Sequence, residues 1–368
     1  MHIVFYAELS MPFSPLTLRH KPLGGSESAL YYLSRSLAQE GQEVTVLNHC
    51  GAEAGCYEGV TYFDLHLQEA EWRRRLEEHP PDVLVFFRRF QDLLRRDLPP
   101  GPVRLFWAHD HLGTYPERTD QPGKKLTEWA LRLGGRIANP RLDVVAAVSR
   151  WLAQAFHDYM GTPWEKIFVT QNGIDLAHYR SLEEERQPAR LIYTSAPERG
   201  LDLLLREIFP RIRRLVPEAE LHVYSYRSLD RYQEVPAGAF LHGGLPHRLL
   251  AQELARSALH VYPTDFPETS CIAAIEAQAA GTPVVTSRRY ALQETVVDGE
   301  TGILIPGEVG SPSYVEAFVA AVVELLRDER RRRQLGENAR RRALEQYGWE
   351  KVARSWIDFL SARQRRGG

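Results

Sequence analysis

Short apolar runs alternate with amphipathic segments along most of the chain. In the first half the apolar runs lie at 2–7, 43–49, 82–87, 103–109 and 143–149. They are rich in β-branched and aromatic residues without strict alternation, which predicts strands of a parallel sheet covered on both faces. Segments with helical spacing of apolar residues lie between them, at 26–40, 67–78 and 126–136. This order predicts a doubly wound α/β domain.

A second series of the same kind begins near residue 189. Its predicted strands lie at 189–195, 220–225, 239–244, 258–263 and 283–287, and its predicted helices at 199–215, 246–256 and 270–280. The tail is helical, at 311–328, 328–347 and 349–363. The polar, proline-containing segment 178–190 indicates an interdomain linker, so we expect one domain over 1–180 and another over 186–349. Ligands of open α/β sheets bind outside the carboxyl ends of the strands, so both domains are expected to face a cleft with those ends.

Composition narrows the classes of function. The 368 residues suit two domains, and 46 Lys and Arg against 48 Asp and Glu leave a net charge of −2, which disfavours a protein that mainly holds nucleic acid. The apolar runs are too short to span a membrane, and the first residues lack the cationic leader of a secretory signal. The three cysteines have no metal-type spacing, which favours buried thiols in a reducing cytoplasm.

Two glycines stand at the start of the first predicted helix. Gly24 and Gly25 follow the first strand and its loop, and Ser26 is a plausible N-cap. Glycines allow a ligand close to the backbone, and a helix N-terminus attracts anions. The sequence here is neither G-x-G-x-x-G nor a Walker A loop. A phosphate-binding turn and a merely flexible turn are therefore both open.

Two glutamates follow the strand 258–263. Glu268 is predicted on a loop at the carboxyl edge of the sheet, and Glu276 two turns into the next helix, with Thr269 or Ser270 as its N-cap. Carboxylates accept hydrogen bonds from sugar hydroxyls, and free amides at 269–272 can meet a diphosphate. A solvated glutamate on an exposed helix face is the alternative. That alternative suits Glu276 poorly, because its neighbours on the helix are apolar.

Two further candidates also follow strands. Arg199 opens a helix after the strand 189–195 and could neutralise a phosphate, although a solvated arginine is common in a chain this rich in arginine. His109 stands in Trp-Ala-His-Asp-His after the strand 103–109. A metal site there would need a further close ligand, and a buried, hydrogen-bonded histidine is the simpler interpretation. No nucleophile elbow or H-E-x-x-H motif is found in the sequence.

Taken together, these residues resemble the retaining glycosyltransferases of family GT4, and the likeness covers nearly the whole chain. Its most specific part is the E-x7-E element from Glu268 to Glu276, which runs on as Glu-Ala-x-Ala-x-Gly-Thr-Pro-Val to residue 284. The other motifs occur in the family's order: Gly24-Gly25, His109, Gln171 to Asp175, Glu198-Arg199-Gly200 and 294–302.

The resemblance implies the GT-B fold: two Rossmann-like, doubly wound domains that face each other across a cleft, with C-terminal helices. The last helix, about 350–368, would pack back on the first domain. The implied catalytic residues are His109, Glu268 and Arg199, and the implied donor-binding residues are Gly24, Gly25, Arg199, Leu245, Glu268, Thr269, Ser270, Cys271, Ile272 and Glu276.

The family implies a role for each of these positions. Gly24 and Gly25 would back the donor diphosphate, and Arg199, where relatives commonly have lysine, would pair with the phosphates. Glu268 would hold sugar hydroxyls, with the amides of the next residues nearby, and His109 would reach the transferred sugar. Further along the chain, Glu276 would bind the ribose and Leu245 would lie near the base.

Two departures from the family pattern concern the donor. Thr194-Ser195 stands where many members have Gly-Arg, so one phosphate cation is missing or comes from elsewhere. Thr269-Ser270-Cys271 replaces the frequent Gly-Phe-Gly after the first glutamate, which leaves the donor sugar open.

The implied function is transfer of a hexose-type sugar from a UDP- or GDP-linked donor to an acceptor hydroxyl, with retention and without a metal. The absence of a D-x-D motif agrees, and no cofactor is implied. The acceptor would be a glycan, a lipid-linked glycan or a small molecule, facing the segments 9–23 and 112–126. A sugar-nucleotide epimerase and a non-catalytic sugar-nucleotide-binding protein of the same fold are the alternatives.

The expected location is the cytoplasm, with peripheral contact to the inner face of the membrane left open, and no nucleic-acid partner is expected. The arginine-rich stretch 327–342 could touch anionic lipid or nucleic acid. Its interspersed acidic residues favour a solvated helix face instead.

Overall fold

The computed structural model describes residues 1–8, 10–17, 23–95, 98, 102–113 and 123–367. They form two compact units. The first contains residues 1–17, 24–172 and 349–367 of that set, and the second contains 173–348 together with Leu23.

The first unit is built on an eight-stranded sheet in the order β3-β4-β2-β1-β5-β6-β7-β8. Its strands are β1 (His2–Tyr6), β2 (Glu43–Asn48), β3 (Gly55–Tyr57), β4 (Val60–Asp64), β5 (Val83–Phe87), β6 (Val103–Ala108), β7 (Val144–Ala147) and β8 (Ile167–Val169). Only the pairing of β3 with β4 is antiparallel. The central strands are buried along their whole length, as expected for parallel strands covered on both faces.

Five α-helices accompany this sheet among the described residues: α1 (Gly25–Gln39), α2 (Glu69–Glu78), α3 (Lys124–Ala138), α4 (Arg150–Met160) and the C-terminal helix α12 (Trp349–Gly367). The prediction of Ser26 as the N-cap of α1 is wrong. Gly24 is the N-cap, and no side chain caps the first turn, because the helix begins directly at Gly25.

The second unit has a six-stranded, wholly parallel sheet in the order β11-β10-β9-β12-β13-β14. Its strands are β9 (Gln187–Thr194), β10 (Glu220–Tyr224), β11 (Ala239–His242), β12 (Ser257–Tyr262), β13 (Val284–Ser287) and β14 (Gly302–Ile305). Its helices are α5 (Leu201–Leu203), which continues through a π-helical turn (Leu204–Ile208) into α6 (Phe209–Leu215), then α7 (His247–Arg256), α8 (Ile272–Ala279), α9 (Leu292–Thr295), α10 (Pro312–Arg327) and α11 (Glu329–Gln346). A single apolar core fills the space between this sheet and its helices.

The arginine-rich stretch 327–342 is only partly the solvated face that its charge pattern predicts. Arg332 is buried and donates to the carbonyls of Leu325 and Leu326, at 2.7 and 2.9 Å. Arg340 donates to the carbonyl of Tyr179 at 2.6 Å. These two arginines bind backbone carbonyls within the second unit, so their guanidinium groups stabilise the fold.

No helix among the described residues combines the length and the apolar composition needed to cross a bilayer.

Candidate functional site

Two neighbouring parallel strands of the second unit, β9 and β12, bring an arginine and a glutamate together. Arg199 follows β9 and Glu268 follows β12, so both side chains lie at the carboxyl edge of the sheet. The Nη1 atom of Arg199 donates to Oε1 of Glu268 at 2.9 Å. Glu268 is buried, and the hydroxyl of Tyr262, the last residue of β12, also donates to Oε1.

A glycine sets the position of this arginine. Gly200 has a φ of +101°, and a Cβ atom there would lie 2.1 Å from the carbonyl oxygen of Pro263. Only glycine therefore allows the turn after β9 to approach the end of β12 so closely. The guanidinium of Arg199 also lies 4.1 Å from the ring centroid of Phe266, which adds a cation–π contact.

The arginine of this pair remains charged although much of its side chain is removed from water. Burial lowers the pKa of Arg199, but the carboxylate of Glu268 outweighs burial and raises that pKa well above its usual value. The Nε atom of Arg199 is buried and has no hydrogen-bond partner among the described residues. A fixed cation with an unused donor is thus held at the edge of the sheet.

The second glutamate of the motif forms a separate ion pair. Glu276 lies on α8 and is buried, and its Oε1 atom lies 3.0 Å from Nδ1 of His247, the first residue of α7. Burial disfavours the charged imidazole, but the hydrogen bond and charge of Glu276 outweigh burial and raise the pKa of His247. Leu245, two residues before α7, is half-buried and packs against the apolar core of this unit.

The helix carrying Glu276 starts later than its sequence predicts. Neither Thr269 nor Ser270 is the N-cap of α8; Cys271 is, and it makes no side-chain cap hydrogen bond. Cys271 has φ 58° and ψ 74°, a left-handed conformation that favours glycine. The carbonyl of Ser270 is held by Thr295 Oγ1 at 2.7 Å. The first amides of α8, starting at Ile272, have no acceptor within the helix.

The glycines of the first unit lie beside a carboxylate. A Cβ atom on Gly24 would lie 2.7 Å from Oε2 of Glu27, which is buried in the first turn of α1. Oε1 of Glu27 accepts hydrogen bonds from the amide of Met11 at 3.2 Å and from Arg88 at 3.3 Å. The N-terminus of α1 is therefore already next to a negative charge of the protein itself.

His109 follows β6 and is buried against aromatic rings. Its ring centroid lies 4.5 Å from that of Trp107 and 5.2 Å from that of Phe87. Burial lowers its pKa to about 3, with Asp110 and Arg88 acting in opposite directions, so the imidazole is neutral at physiological pH. Arg88 binds Asp110 with two hydrogen bonds, at 2.8 and 3.0 Å. The two clusters of metal-type ligands found among the described residues do not include His109.

The second unit thus brings Arg199 and Glu268 into direct contact, and Thr269 to Ile272 continue from them into α8. Gly24, Gly25 and His109 belong to the first unit. Half of the residues in the predicted acceptor-facing segments 9–23 and 112–126 lie outside the described residues.

Sequence reasoning missed three residues that organise the site: Tyr262, His247 and Arg88. Tyr262 ends a strand directly before the loop of Glu268, and its position could have identified it. The partners of His247 and Arg88 lie far from them in the sequence, so no local pattern identifies these two residues.

Two of the curated relatives that resemble the chain are mannosyltransferases. One is an MMP alpha-(1->4)-mannosyltransferase of Mycolicibacterium hassiacum, 29% identical over 230 residues, which are 59% of this chain and 53% of the relative. The other is a GDP-mannose-dependent alpha-(1-6)-phosphatidylinositol monomannoside mannosyltransferase of Mycolicibacterium smegmatis, 28% identical over 254 residues, which are 62% of this chain and 64% of the relative. The chain spans about half the length of the first of these relatives, and under two thirds of the second.

Solved structures share the fold over almost the whole chain. A sucrose-phosphate synthase from Thermosynechococcus elongatus superposes with a TM-score of 0.74 at 16% identity, covering 100% of this chain and 99% of that protein. Anabaena HepE in complex with UDP-glucose gives a TM-score of 0.69 at 16% identity, covering 98% and 100%. The fold is the predicted GT-B fold.

Two family models match successive parts of the chain. The model described as Glycosyltransferase Family 4 matches residues 23–178, and the model described as Glycosyl transferases group 1 matches residues 189–328. Together they span most of the chain, in the order expected for the two units. The chain therefore belongs to the family 4, or group 1, glycosyltransferases.

Proposed function

We propose that this protein transfers a hexose from a UDP- or GDP-linked donor to an acceptor hydroxyl, with retention at the anomeric carbon and without a metal ion. The donor is bound by the second unit, and the acceptor by the first. The observation that carries this proposal is the contact between half-buried Arg199 and buried Glu268 at the carboxyl edge of the second sheet.

Each charge of this pair suits one part of a nucleotide sugar. The guanidinium of Arg199 can bind diphosphate oxygens, and the carboxylate of Glu268 can accept hydrogen bonds from sugar hydroxyls. The amides at the start of α8, from Thr269 to Ile272, add donors for the phosphates. The pair is thus a phosphate-binding cation and a sugar-binding anion in contact.

Glu276 and Leu245 extend the same site toward the nucleoside. Glu276 carries the ribose contact, and its ion pair with His247 fixes the orientation of the carboxylate. Leu245 lies close in sequence to His247 and offers an apolar surface for the base. The UDP-glucose complex of HepE and the GDP-mannose dependence of one relative support these two nucleotides as candidates.

In the reaction the bond between the anomeric carbon and the phosphate oxygen breaks, and a bond to the acceptor oxygen forms on the same face. The proton of the acceptor hydroxyl passes to the oxygen of the leaving diphosphate. Arg199 and the first amides of α8 stabilise the negative charge that develops on the leaving diphosphate. His109, neutral at physiological pH, contacts the transferred sugar as a hydrogen-bonding group. Gly24 and Gly25 back the diphosphate, with Glu27 restricting how closely an anion approaches.

The test is a product assay with UDP-glucose, UDP-N-acetylglucosamine and GDP-mannose, each with a mixture of simple sugar acceptors and with EDTA present. We expect one donor to release its nucleoside diphosphate and to give an α-linked product by proton NMR. The Glu268→Gln variant should be at least about a hundredfold slower, whereas Glu300→Gln, at an exposed position, should behave as wild type.

Other outcomes would each overturn a specific part of the proposal. A β-linked product would exclude retention, and loss of activity on chelation would exclude a metal-free mechanism. Conversion of the donor to its epimer without cleavage would support an epimerase. Tight donor binding without turnover of any donor would support a non-catalytic binding protein.

A further inference from the structure

Three side chains that can bind a metal ion meet at the amino edge of the first sheet. His2 begins β1 and Glu43 begins β2, and the two residues are partners in the parallel register. His79 directly follows the last residue of α2. One ligand atom from each residue lies within 4.8 Å of the other two. This amino-edge cluster of two imidazoles and a carboxylate is a ligand set that zinc takes in sites with one open position.

His2 is held in place and has one unused ring nitrogen. Its backbone amide donates to Oδ2 of Asp82 at 2.7 Å, and its carbonyl accepts from the amide of Asp82 at 2.9 Å. Its Nε2 atom lies 3.2 Å from the hydroxyl oxygen of Thr45. His2 is only 4% exposed, and its Nδ1 atom has no hydrogen-bond partner among the described residues. A metal-binding histidine typically has this arrangement, in which an outer partner holds one nitrogen and the other nitrogen binds the ion.

The charges around the amino-edge cluster suit a cation. Burial lowers the pKa of His2 and His79 lowers it further, so the neutral imidazole that binds metals is favoured. Glu43, a backbone contact at Pro80 and the carboxylate of Asp82 oppose this shift. Burial raises the pKa of Glu43, but the hydrogen bond with His79 and the neighbouring positive charges outweigh burial and lower it. Two carboxylates thus stand beside the two imidazoles.

His79 is the ligand that has to move to complete the site. Its ring stacks on that of His2, with centroids 4.9 Å apart and planes 14° apart, and its Nε2 atom lies 2.8 Å from Oε2 of Glu43. Ring nitrogens bind a metal in the plane of the ring, so two stacked rings cannot reach one ion. The side chain of His79 is 58% exposed, which leaves it room to turn. Ligands of a tetrahedral zinc ion lie about 3.3 Å apart, so the required movement is small.

A second cluster of possible ligands lies at the opposite, carboxyl edge of the same sheet and suits a cation less well. This carboxyl-edge cluster contains Glu8, His49 and His66. The hydroxyl of Tyr6 donates to Oε2 of Glu8 at 2.9 Å, and Nη1 of Arg89 lies 3.9 Å from Oε1. The carboxylate therefore already has a donor and a cation of the protein beside it, and that guanidinium would repel a metal ion.

We propose that His2, Glu43 and His79 bind a divalent transition-metal ion of the zinc type, with a water molecule as the fourth ligand. The ion joins the starts of β1 and β2 to the segment between α2 and β5, so it stabilises the first unit. Mg²⁺ and Ca²⁺ fit poorly, because they prefer oxygen ligands to imidazole. The proposal goes beyond the proposed function, since the cluster shares no residue with the donor site and takes no part in the transfer.

The test is calorimetry of Zn²⁺ and of Mg²⁺ with the full chain, carrying no affinity tag, together with thermal unfolding in each metal. Two variants each remove an exposed ligand: Glu43→Gln and His79→Gln. The matched controls are Glu77→Gln, at an exposed position of α2, and His66→Gln, at the exposed histidine of the carboxyl-edge cluster. Unfolding without added metal checks that each variant is folded. Neither measurement needs donor or acceptor, so the result is independent of the proposed sugar transfer.

We expect wild type to bind one zinc ion at its tightest site, and Mg²⁺ at least about a hundredfold more weakly. Free zinc at a hundredfold excess over its Kd should raise the unfolding temperature of the first unit by about 5–10 °C. Each ligand variant should bind zinc at least about a hundredfold more weakly and lose this shift, because loss of even an outer partner of a ligand costs 10- to 100-fold. Both controls should behave as wild type.

Three results would overturn the proposal. The first is zinc binding by wild type that is no tighter than Mg²⁺ binding. The second is unchanged zinc affinity in both Glu43→Gln and His79→Gln. The third is loss of the tightest site in His66→Gln but not in His79→Gln, because the carboxyl-edge cluster would then hold the ion.

Discussion

At the scale of single residues, two histidines of the site differ in pKa. One is proposed to act in the sugar transfer, and the other to orient the glutamate that binds the donor ribose. His109 is buried among aromatic rings and its pKa is lowered to about 3, whereas the hydrogen bond and charge of Glu276 raise the pKa of His247. Both are histidines with little exposure, and the difference arises mainly from Glu276, with a smaller contribution from Asp175. The two therefore respond to substitution and to pH in different ways.

His109→Ala is predicted to lower turnover at least about tenfold while changing the affinity for the nucleoside diphosphate less than twofold. The reason is that the proposed contact of His109 is with the transferred sugar and is strongest in the transition state. Initial rates at saturating donor and calorimetry with the diphosphate measure the two quantities, with His66→Ala, an exposed histidine of the same unit, as control. Because the pKa is about 3, His109 should contribute no step to the pH–rate profile between pH 5 and 9. Normal turnover of His109→Ala would contradict the assigned role.

His247→Gln is predicted to destabilise the protein more at pH 6 than at pH 9. The pKa of His247 is raised in the folded state above its ordinary value of 6.5. Its ion pair with Glu276 therefore contributes fully below about pH 6.5, and the contribution is lost as the pH rises through the raised pKa. Urea unfolding of wild type and variant at both pH values measures this difference. An equal or larger loss of stability in the variant at pH 9 would show that Glu276 does not raise the pKa of His247.

At the scale of elements, the turn after β9 determines where the cation of the site lies. Gly200 and Gly307 both have φ near +100°, but a Cβ atom at Gly200 would meet the carbonyl of Pro263, whereas at Gly307 it would meet nothing within 4 Å. The two glycines thus form a matched pair in which only the close contact differs.

Gly200→Ala is predicted to cost clearly more stability than Gly307→Ala, for which backbone strain of about 1–2 kcal/mol is expected. Relief of the contact with Pro263 must move the turn and Arg199 with it, so the affinity for the diphosphate should fall as well. Chemical unfolding and calorimetry test the two effects. Equal losses of stability in both variants, with unchanged binding, would show that this contact does not position the arginine.

The sequence predicts the longer elements and the edge at which the site lies, because periodicity and strand ends are local signals. It misses β3, β4, β8 and β14, of three to five residues, since so short a run carries no clear pattern. It also does not name α4, a helix of 11 residues. It places the caps of α1 and α8 on Ser26 and on Thr269 or Ser270, whereas Gly24 and Cys271 occupy those positions. The backbone conformation determines which residue is the N-cap of each helix. In a turn that is rich in glycine or left-handed, the N-cap preferences of the residue types do not show that conformation. The contact of Glu276 with His247 joins residues 29 apart, which no local pattern shows.

At the scale of the whole molecule, the chain returns at its end to the unit where it began. Helix α12 belongs to the first unit, and Trp356 on this helix is fully buried. Its indole Nε1 donates to Thr170 Oγ1 at 2.8 Å, and its ring centroid lies 5.3 Å from that of Trp107. The C-terminal segment is therefore part of the core beneath β6 and His109.

Trp356→Ala is predicted to destabilise the first unit by about 3–5 kcal/mol, the usual cost of removing a buried aromatic ring. Calorimetric unfolding should show a lower transition temperature for that unit, whereas Asp358→Ala, at an exposed position of the same helix, should match wild type. An unchanged unfolding profile of Trp356→Ala would mean that α12 contributes little to the first unit.

The central claim is that the edge of the second sheet carrying Arg199 and Glu268 binds the donor diphosphate. Its most direct test is calorimetry of UDP and GDP with wild type, Arg199→Met and the control Arg206→Met, an arginine on the π-helical turn that follows, with its side chain 79% exposed. Loss of a charge-assisted hydrogen bond is worth about 1.5–3 kcal/mol, so we predict that Arg199→Met binds one of the diphosphates about ten- to a hundredfold more weakly, and that Arg206→Met binds it as wild type does. Equal affinity of wild type and a folded Arg199→Met variant would contradict the claim.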